Sequence, residues 1–226
     1  MAKDKLRVAI AGCGMISDFH IKAMKQIPEL EVLGVWDISA DAAKALAEKH
    51  SVKAYGSYDE MITDPQVDII DICLPAGVHA QYGCKAAEAG KHLIVEKPID
   101  VTKEAGEQLI AAADKAGVKL AVILQNRFAP SMAKVRKALD EGTLGRLLYG
   151  EATVKWYRQE SYYTSKPWKG TWEFDGGGAL LVQAIHTIDL LLWFMGSRVK
   201  NIQSFARTLL HPIEVEDLAA AVLEFE

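Results

Sequence analysis

The feature that most constrains the fold is the alternation of short apolar segments with amphipathic segments across residues 7–124. The apolar segments are predicted strands, at residues 7–11, 31–36, 52–55, 67–74, 93–95 and 119–124. The segments between them carry helix caps such as Ser39 and Thr102 and helix stops such as Pro28 and Gly117. Strands that alternate with helices of about 10 to 15 residues predict a parallel sheet with helices on both faces. Because such crossovers are right-handed, we expect the sheet to be doubly wound.

The second half of the chain has a different pattern. Predicted helices span residues 131–141 and 179–194, and predicted strands span residues 147–156, 199–209 and 215–225. An irregular segment rich in aromatic residues and glycine, residues 157–178, interrupts them. This order predicts an α+β domain with an open, largely antiparallel sheet.

These two patterns predict two domains, residues 1–124 and residues 125–226. We expect the second domain to be partial, because the chain ends at Glu226 directly after a predicted strand. An open antiparallel sheet that stops there has an unprotected edge, so either further strands are missing or a partner chain covers it.

Charge and cysteine content argue against several classes of protein. The chain has 226 residues with 26 Lys and Arg and 30 Asp and Glu, and its net charge of −4 argues against nucleic acid or an anionic membrane as partner. The cysteines, Cys13, Cys73 and Cys84, form no CxxC motif and no zinc-ligand spacing. We therefore expect no metal site, and small buried thiols in a reducing compartment, the cytoplasm. No uninterrupted apolar run reaches the roughly 18 residues of a membrane span.

A glycine motif, GCGMIS, follows the first predicted strand and opens the first predicted helix. Gly12 allows a tight turn, and Gly14 lets a pyrophosphate approach the backbone. The helix N-terminus at Met15 and Ile16 supplies backbone N–H groups and a partial positive charge for phosphate. Ser17 stands where the motif has a third glycine, and it is small enough for helix and strand to pack closely. The motif predicts dinucleotide binding, and the alternative is an ordinary glycine turn.

Asp37 ends the second predicted strand, 25 positions after Gly12. A carboxylate at this place can accept hydrogen bonds from both ribose hydroxyls of an adenosine, and it repels a 2′-phosphate. The sequence therefore predicts NAD in preference to NADP. An alternative role for Asp37 is to cap the helix that begins near Ser39.

The carboxyl ends of the fourth and fifth predicted strands carry further candidates. Ligands bind outside these ends in open parallel sheets, so we expect Leu74, Pro75 and His79 to face the cofactor. Glu96 and Lys97 follow the fifth strand, and a cation there can polarise a substrate hydroxyl or carbonyl. Two alternatives stay open: His79 can be a helix-terminal residue without a catalytic role, and Glu-Lys-Pro can be a surface string.

The remaining candidate is the helix that follows the triple glycine of residues 176–178. It carries His186, a residue type that accepts protons near neutral pH. Val182 lies one helical turn before His186, and Gln183 and Asp189 lie three residues to either side, so all can flank it. Alternatively, His186 is a satisfied histidine of the core.

The segments GCGMIS, PAGVH, EKP, QNRF and GGGALLVQAIHTIDLLLW, together with Asp37, resemble the Gfo/Idh/MocA oxidoreductase family from Arg7 to the chain end. The resemblance implies an NAD(P)-binding Rossmann domain, then an α/β substrate domain with an open antiparallel sheet. It also implies substrates such as sugars and inositols. The chain departs from the family in its shorter length and in Val182, where the family often has Asp or Asn.

The resemblance also implies roles for individual residues. Lys97 matches the lysine that holds the reacting hydroxyl, and His186 matches the catalytic histidine. Arg127 lies in the segment where cofactor and substrate meet. Trp168 and Trp172 match an aromatic segment near the active site, and with Gln183 they complete the predicted substrate contacts.

We therefore predict an NAD-dependent oxidoreductase that moves a hydride between a secondary alcohol of a sugar- or inositol-like molecule and nicotinamide. Lys97 orients the hydroxyl and His186 accepts its proton, although the sequence also allows Lys97 to be the base. We expect a homo-oligomer formed through the C-terminal sheet, with no nucleic-acid or membrane partner. Two alternatives remain: a relative that uses NAD in glycoside cleavage or epimerisation, and an NAD-binding regulatory protein with a decayed site.

Overall fold

The computed structural model describes residues 5–226, and residues 1–4, with which the predicted first domain begins, lie outside the described residues. The chain divides into two compact units at Ile123 and Leu124.

The first unit contains a parallel sheet with the strand order β3-β2-β1-β4-β5-β6. Its strands are β1 (Leu6–Ala11), β2 (Leu30–Trp36), β3 (Lys53–Ala54), β4 (Ile69–Ile72), β5 (His92–Val95) and β6 (Leu120–Val122). Its α-helices are α1 (Met15–Met24), α2 (Ala40–His50), α3 (Tyr58–Thr63), α4 (His79–Glu88) and α5 (Lys103–Ala116). The predicted doubly wound parallel sheet is therefore confirmed, and its order is that of a dinucleotide-binding fold.

The core lies on both faces of this sheet. Val8 and Ile10 of β1 pack into one apolar cluster with α1 and α2, whereas Ala9 and Ala11 pack into a second cluster on the opposite face. Successive side chains of a strand point to opposite faces, so a strand buried on both sides is apolar without interruption. This explains the unbroken apolar run of β1.

The strand order reverses between β1 and β4, which opens a crevice at the carboxyl ends of these two strands. Gly12 follows β1 with a φ of +99°, and a Cβ added there would lie 2.4 Å from the carbonyl oxygen of Cys73. The turn therefore requires glycine, because any side chain would collide with the backbone that follows β4.

The second unit contains α6 (Pro130–Asp140), α7 (Glu160–Thr164), α8 (Ile185–Met195) and an antiparallel pair of strands, β7 (Val199–Arg207) and β8 (Leu218–Phe225). The strand predicted at residues 147–156 is wrong: these residues form no regular secondary structure. A strand needs a hydrogen-bonding neighbour, and none of the described residues pairs with this segment. Its apolar side chains Leu148, Tyr149 and Trp156 are 61–79% exposed.

The helix predicted over residues 179–194 also differs from the structure. Its first six residues, Ala179–Ala184, form a π-helical turn, and the α-helix begins only at Ile185. Gly196 ends α8 in the left-handed conformation. No helix within residues 5–226 combines the length and apolar character required to cross a bilayer.

Candidate functional site

The turn between β1 and α1 leaves an open space beside a helix N-terminus. Gly14 is the N-cap of α1, and no side chain caps the helix there. A Cβ added to Gly14 would meet no atom within 4 Å, and the Ser17 hydroxyl donates a hydrogen bond of 2.7 Å to the Gly12 carbonyl oxygen. Met15 and Ile16 are 81% and 38% exposed. The backbone amides, the helix dipole and the open space together suit a phosphate group.

Asp37 lies directly after β2, and both of its oxygens accept backbone hydrogen bonds. Oδ2 accepts one of 2.7 Å from the Cys13 N–H, and Oδ1 accepts one of 2.9 Å from the Ser39 N–H. Ser39 itself is the N-cap of α2, so Asp37 is not that cap. A carboxylate oxygen has more than one lone pair, so Asp37 can hold this turn and still accept a hydroxyl. The neighbouring Ile38 is 88% exposed, an apolar surface that sequence reasoning missed.

His79 begins α4, where the sequence predicts a helix start, and its side chain is buried. It is 1% exposed, with Nδ1 at 2.8 Å from the Pro98 carbonyl oxygen and Nε2 at 2.8 Å from the Leu74 carbonyl oxygen. Both ring nitrogens are therefore engaged inside the unit, and we correct the predicted cofactor contact of His79 to a positioning role. The ring joins the loop after β4, where Leu74 and Pro75 are half-buried, to the loop after β5.

The segment that carries Lys97 is held on both sides. Glu96 places Oε1 at 3.0 Å from Nε2 of His20, and its Oε2 accepts a hydrogen bond of 3.2 Å from the Lys97 N–H. Asp100 is buried and accepts a hydrogen bond of 2.8 Å from the Ala80 N–H of α4. The peptide bond that follows Lys97 is cis. Lys97 is therefore presented at the carboxyl edge of the sheet by a backbone fixed through its neighbours.

The three cysteines are free thiols. Burial, with a smaller contribution from the Asp37 charge, raises the pKa of Cys13 to about 12. Burial also raises the pKa of Cys73 to about 12 and raises the pKa of Cys84. A protonated thiol is a poor nucleophile, so these cysteines are not candidates for covalent catalysis.

In the second unit, the triple glycine is explained by a close backbone approach. The Ala179 N–H donates to the Glu216 carbonyl oxygen at 2.8 Å, and the Leu180 N–H donates to Glu216 Oε1 at 2.9 Å. A Cβ added to Gly178 would lie only 2.0 Å from that carbonyl oxygen. Glu216, which sequence reasoning missed, thus takes the first amides of the π-helical turn that precedes His186.

The polar residues predicted beside His186 are engaged by arginines. Gln183 Oε1 accepts hydrogen bonds from Arg158 Nε at 2.9 Å and Nη2 at 2.6 Å. Asp189 accepts a two-pronged pair from Arg127, with distances of 2.8 and 2.5 Å, and this hydrogen bonding raises the pKa of Arg127. The Arg127 guanidinium therefore meets a carboxylate within its own unit.

The spacing between residue 182 and His186 also differs from the prediction. Val182 lies in the π-helical turn, whereas His186 lies in α8. The backbone between them is therefore not the single α-helical turn that the sequence predicts, because its helical pitch changes there, and the shared face of the two side chains stays a prediction. Both residues are half-buried.

A cationic and aromatic group surrounds Tyr162, and we call Arg158, Tyr162, Lys169 and Gln183 the Tyr162 cluster. The Arg158 guanidinium carbon lies 4.9 Å and the Lys169 Nζ 3.9 Å from the centroid of the Tyr162 ring. The Gln183 amide donates to the Tyr162 hydroxyl at 3.3 Å. Burial lowers the pKa of Lys169; the charge of Asp175 opposes this, and the charge of Arg158 adds to it. No short sequence motif predicts this cluster.

The two predicted tryptophans lie in the same unit with different exposures. Trp168 is half-buried, and its carbonyl oxygen accepts a hydrogen bond of 2.7 Å from the Thr171 hydroxyl. Trp172 is 55% exposed, and its backbone N–H donates to Glu214 Oε2 at 2.9 Å. An exposed indole offers an apolar face on which a sugar ring can stack.

Comparison with known families matches nearly the whole chain. Residues 6–124 match the GFO/IDH/MocA family that is described as "Oxidoreductase family, NAD-binding Rossmann fold". The GFO/IDH/MocA C-terminal domain matches residues 132–226.

Solved and curated relatives agree with these matches. The chain is 35% identical to the WlbA dehydrogenase from Chromobacterium violaceum in complex with NADH and UDP-GlcNAcA, with a TM-score of 0.95, over 100% of this chain and 65% of that chain. It is 34% identical to the Bordetella pertussis WlbA dehydrogenase in complex with the same two ligands, with a TM-score of 0.94, over 98% of this chain and 67% of that chain. It is 30% identical over 203 residues to the D-glucoside 3-dehydrogenase of Escherichia coli, which covers 87% of this chain and 56% of that protein. The chain thus spans from just over half to two thirds of the length of these relatives.

Proposed function

Since this chain belongs to the GFO/IDH/MocA oxidoreductase family, we propose that it carries out NAD-dependent oxidation of a secondary alcohol on a sugar-like molecule. The observation that carries the proposal is the placement of Lys97. The lysine is held at the same carboxyl edge of the sheet as the open glycine turn.

The residues around the turn fit a dinucleotide. Gly12 and Gly14 leave backbone and open space for the pyrophosphate, and the N-terminus of α1 supports its charge. The Asp37 carboxylate would accept the ribose hydroxyls, and the exposed Ile38 would offer an apolar surface to the adenine. NAD supplies the hydride acceptor when it is bound.

Lys97 binds and orients the substrate hydroxyl. Its ammonium group stabilises the negative charge that develops on the oxygen as the proton leaves, a contribution that a positioned cation makes without reorganisation. The supporting observation is that Glu96 and Asp100 fix the backbone on either side of Lys97. A side chain on a fixed backbone returns to one place in every catalytic cycle.

His186 accepts the proton of the hydroxyl. Its position at the start of α8 depends on Glu216, which takes the amides of the preceding π-helical turn. Val182 offers no carboxylate to stabilise a charged imidazole, and the carboxylate of Asp189 is engaged by Arg127. We therefore assign His186 the role of the proton acceptor on a helix whose Asp189 carboxylate is held by Arg127.

The substrate class is an acidic, nucleotide-linked sugar. Two observations support this choice over a neutral cyclitol. The structures of the two WlbA dehydrogenases contain UDP-GlcNAcA, and this chain is 34–35% identical to them. The Tyr162 cluster also places two cationic side chains on one aromatic ring, an arrangement that suits a carboxylate or a phosphate.

The proposal is tested by incubating the protein with NAD and each of three alcohols: UDP-GlcNAcA, myo-inositol and a D-glucoside. We expect NADH to accumulate fastest with UDP-GlcNAcA. Faster turnover of myo-inositol would contradict the proposed substrate class. Formation of product without accumulation of NADH would show that NAD oxidises the substrate only transiently, and net oxidation would then be the wrong reaction. Absence of turnover with all three, together with NAD binding, would favour a regulatory protein.

Lys97→Ala tests the role of the lysine. We expect the turnover rate to fall by about a hundredfold, because one positioned charged donor is removed. We expect the affinity for NAD, measured by calorimetric titration, to stay within about threefold, since the glycine turn and Asp37 are untouched. Lys115→Ala is the matched control, because Lys115 is an exposed lysine in the last turn of α5. Normal turnover by Lys97→Ala would make Lys97 a surface residue.

A further inference from the structure

A group of ionisable side chains joins α1 to the strands β4 and β5, and its histidine, His20, has no part in the proposed chemistry. His20 of α1 places Nδ1 at 2.8 Å from Oδ2 of Asp71 in β4. The other ring nitrogen, Nε2, lies 3.0 Å from Oε1 of Glu96, directly after β5. One imidazole therefore bridges two carboxylates from different strands.

With both carboxylates ionised, the two contacts require a proton on both ring nitrogens; burial by itself raises the pKa of Asp71, and the hydrogen bond and charge of His20 act against that rise. An ionised carboxylate only accepts hydrogen bonds, so each of the two contacts needs an N–H donor from His20. Asp71 is fully buried, and the side chains of His20 and Glu96 are 13% and 12% exposed. Burial alone would lower the pKa of His20, but the hydrogen bonds to Asp71, Cys73 and Glu96 raise it to about 12. His20 is thus a buried cation that is paired on both sides.

The side chain of Glu96 connects the His20 ring to the backbone of Lys97. Glu96 uses Oε1 for His20 and Oε2 for the Lys97 N–H, so both of its oxygens have a partner. Ser17, one turn before His20 on α1, donates to the Gly12 carbonyl oxygen. Helix α1 therefore contacts the dinucleotide turn through Ser17 and the Lys97 segment through His20.

A metal ion is a weaker explanation of the same cluster. Ligand atoms of His20, Asp71 and Cys73 lie within 4.8 Å of one another. However, a thiol binds a metal ion as its thiolate, and burial raises the pKa of Cys73 to about 12. The His20 nitrogen that would bind the ion already faces Asp71 at hydrogen-bond distance.

We infer that His20 is a positioning residue that holds Glu96 and thereby fixes the backbone at Lys97 relative to the dinucleotide-binding turn. Where it concerns catalysis, this inference rests on the proposed function of Lys97. The structural part of the inference is independent of that function. It states that the backbone of residues 96–99 keeps its conformation only when His20 is present.

The structural part is tested by hydrogen exchange in the free protein. His20→Gln keeps one amide donor but removes the charge and the second hydrogen bond. We expect amide exchange in residues 96–99 to accelerate by about tenfold, while β1 and β6 exchange as in the wild type. His50→Gln is the control, because His50 is also buried and bonded to one carboxylate, that of Asp18, but does not contact Glu96.

A second variant guards against misfolding of the first. Glu96→Gln preserves the contact between His20 and Asp71 but leaves one acceptor oxygen for two donors, the His20 ring and the Lys97 N–H, so we expect the same local acceleration at residues 96–99. Unchanged exchange there in both folded variants would overturn the inference. Acceleration spread evenly over the whole unit would also overturn it, because His20 would then be a general stabilising residue.

The catalytic part is tested with the same variants and the substrate found by the alcohol screen. We expect His20→Gln to lower kcat about tenfold, with KM and the NAD dissociation constant changed less than threefold, as for a displaced catalytic group. A normal kcat would overturn the catalytic part. If exchange changes locally while even the wild type shows no turnover, the positioning role stands and the proposed function fails.

Discussion

At the scale of single residues, the two hydrogen bonds of Asp37 connect cofactor choice to the shape of the turn. We predict that the wild type binds NAD at least about tenfold more tightly than NADP, because a fixed carboxylate repels a 2′-phosphate. Asp37→Asn removes the charge and keeps one acceptor for the Cys13 or Ser39 N–H, so its preference should fall towards equality. Calorimetric titration with both cofactors measures this, and equal affinities in the wild type would contradict it.

The sequence predicts single residues well only where a short spacing determines them. Gly12, Gly14 and Asp37 follow from the strand that precedes each of them, and the structure places all three at the carboxyl edge of the sheet. His20 could not be found in this way, since its partners Asp71 and Glu96 lie 51 and 76 positions away. The same holds for Arg127, whose partner Asp189 lies 62 positions away.

At the scale of elements, the π-helical turn depends on one close approach. We predict that Gly178→Ala destabilises the protein by about 2–4 kcal/mol, because its Cβ would lie 2.0 Å from the Glu216 carbonyl oxygen. Gly14→Ala is the matched control, since its Cβ meets nothing within 4 Å, and it should leave stability near that of the wild type. Urea denaturation measures both variants. Equal stability of the two would show that the backbone at Gly178 can move away.

The same control variant separates stability from cofactor binding. The methyl group of Gly14→Ala enters the space that we assign to the pyrophosphate, so we expect a fall in NAD affinity of about tenfold or more without a loss of fold. Calorimetric titration of the folded variant gives the result. Unchanged affinity would show that the pyrophosphate does not use the space beside Gly14.

Elements were predictable where periodicity and caps agree, as in α2 and α5. Ser39 and Thr102 cap these helices through their side chains, and Gly117 ends α5 with a φ of +67°. The strand expected at residues 147–156 does not form. The alternation of apolar and polar residues describes where side chains point, but it does not provide the neighbouring strand that the backbone needs as hydrogen-bonding partner. The π-helical turn was not predicted for a related reason. Glu216, which accepts hydrogen bonds from the first amides of the turn, lies some 36 positions further along the chain.

At the scale of the whole molecule, each unit has its own pattern and each matches its own family description. The sequence predicted the doubly wound sheet of the first unit because each of the strands β1 to β5 is followed by an α-helix. In the second unit, β7 and β8 fall within the strands predicted at residues 199–209 and 215–225, although both are exposed along most of their length. Association of copies through this sheet and the cytoplasmic location stay predictions.

The buried cation His20 predicts how the stability of the protein depends on pH. Its pKa is raised to about 12 in the folded state, whereas an unfolded histidine titrates near about 6.5. The folded protein therefore keeps a proton that the unfolded chain releases. The stabilisation by His20 is complete below about pH 6.5 and is lost as the pH rises towards the folded pKa, by at most about 1.4 kcal/mol per pH unit.

We therefore predict that the free energy of unfolding falls from pH 6.5 to pH 8, and falls less steeply in His20→Gln. This window lies below the pKa of about 8.5 at which cysteines of the unfolded chain ionise, so Cys13 and Cys73 contribute little to the slope. Urea denaturation of both proteins at three pH values, followed by circular dichroism, gives the two slopes. Parallel slopes would show that His20 is neutral in the folded protein, and one of the two carboxylates would then have to carry the proton that both contacts require.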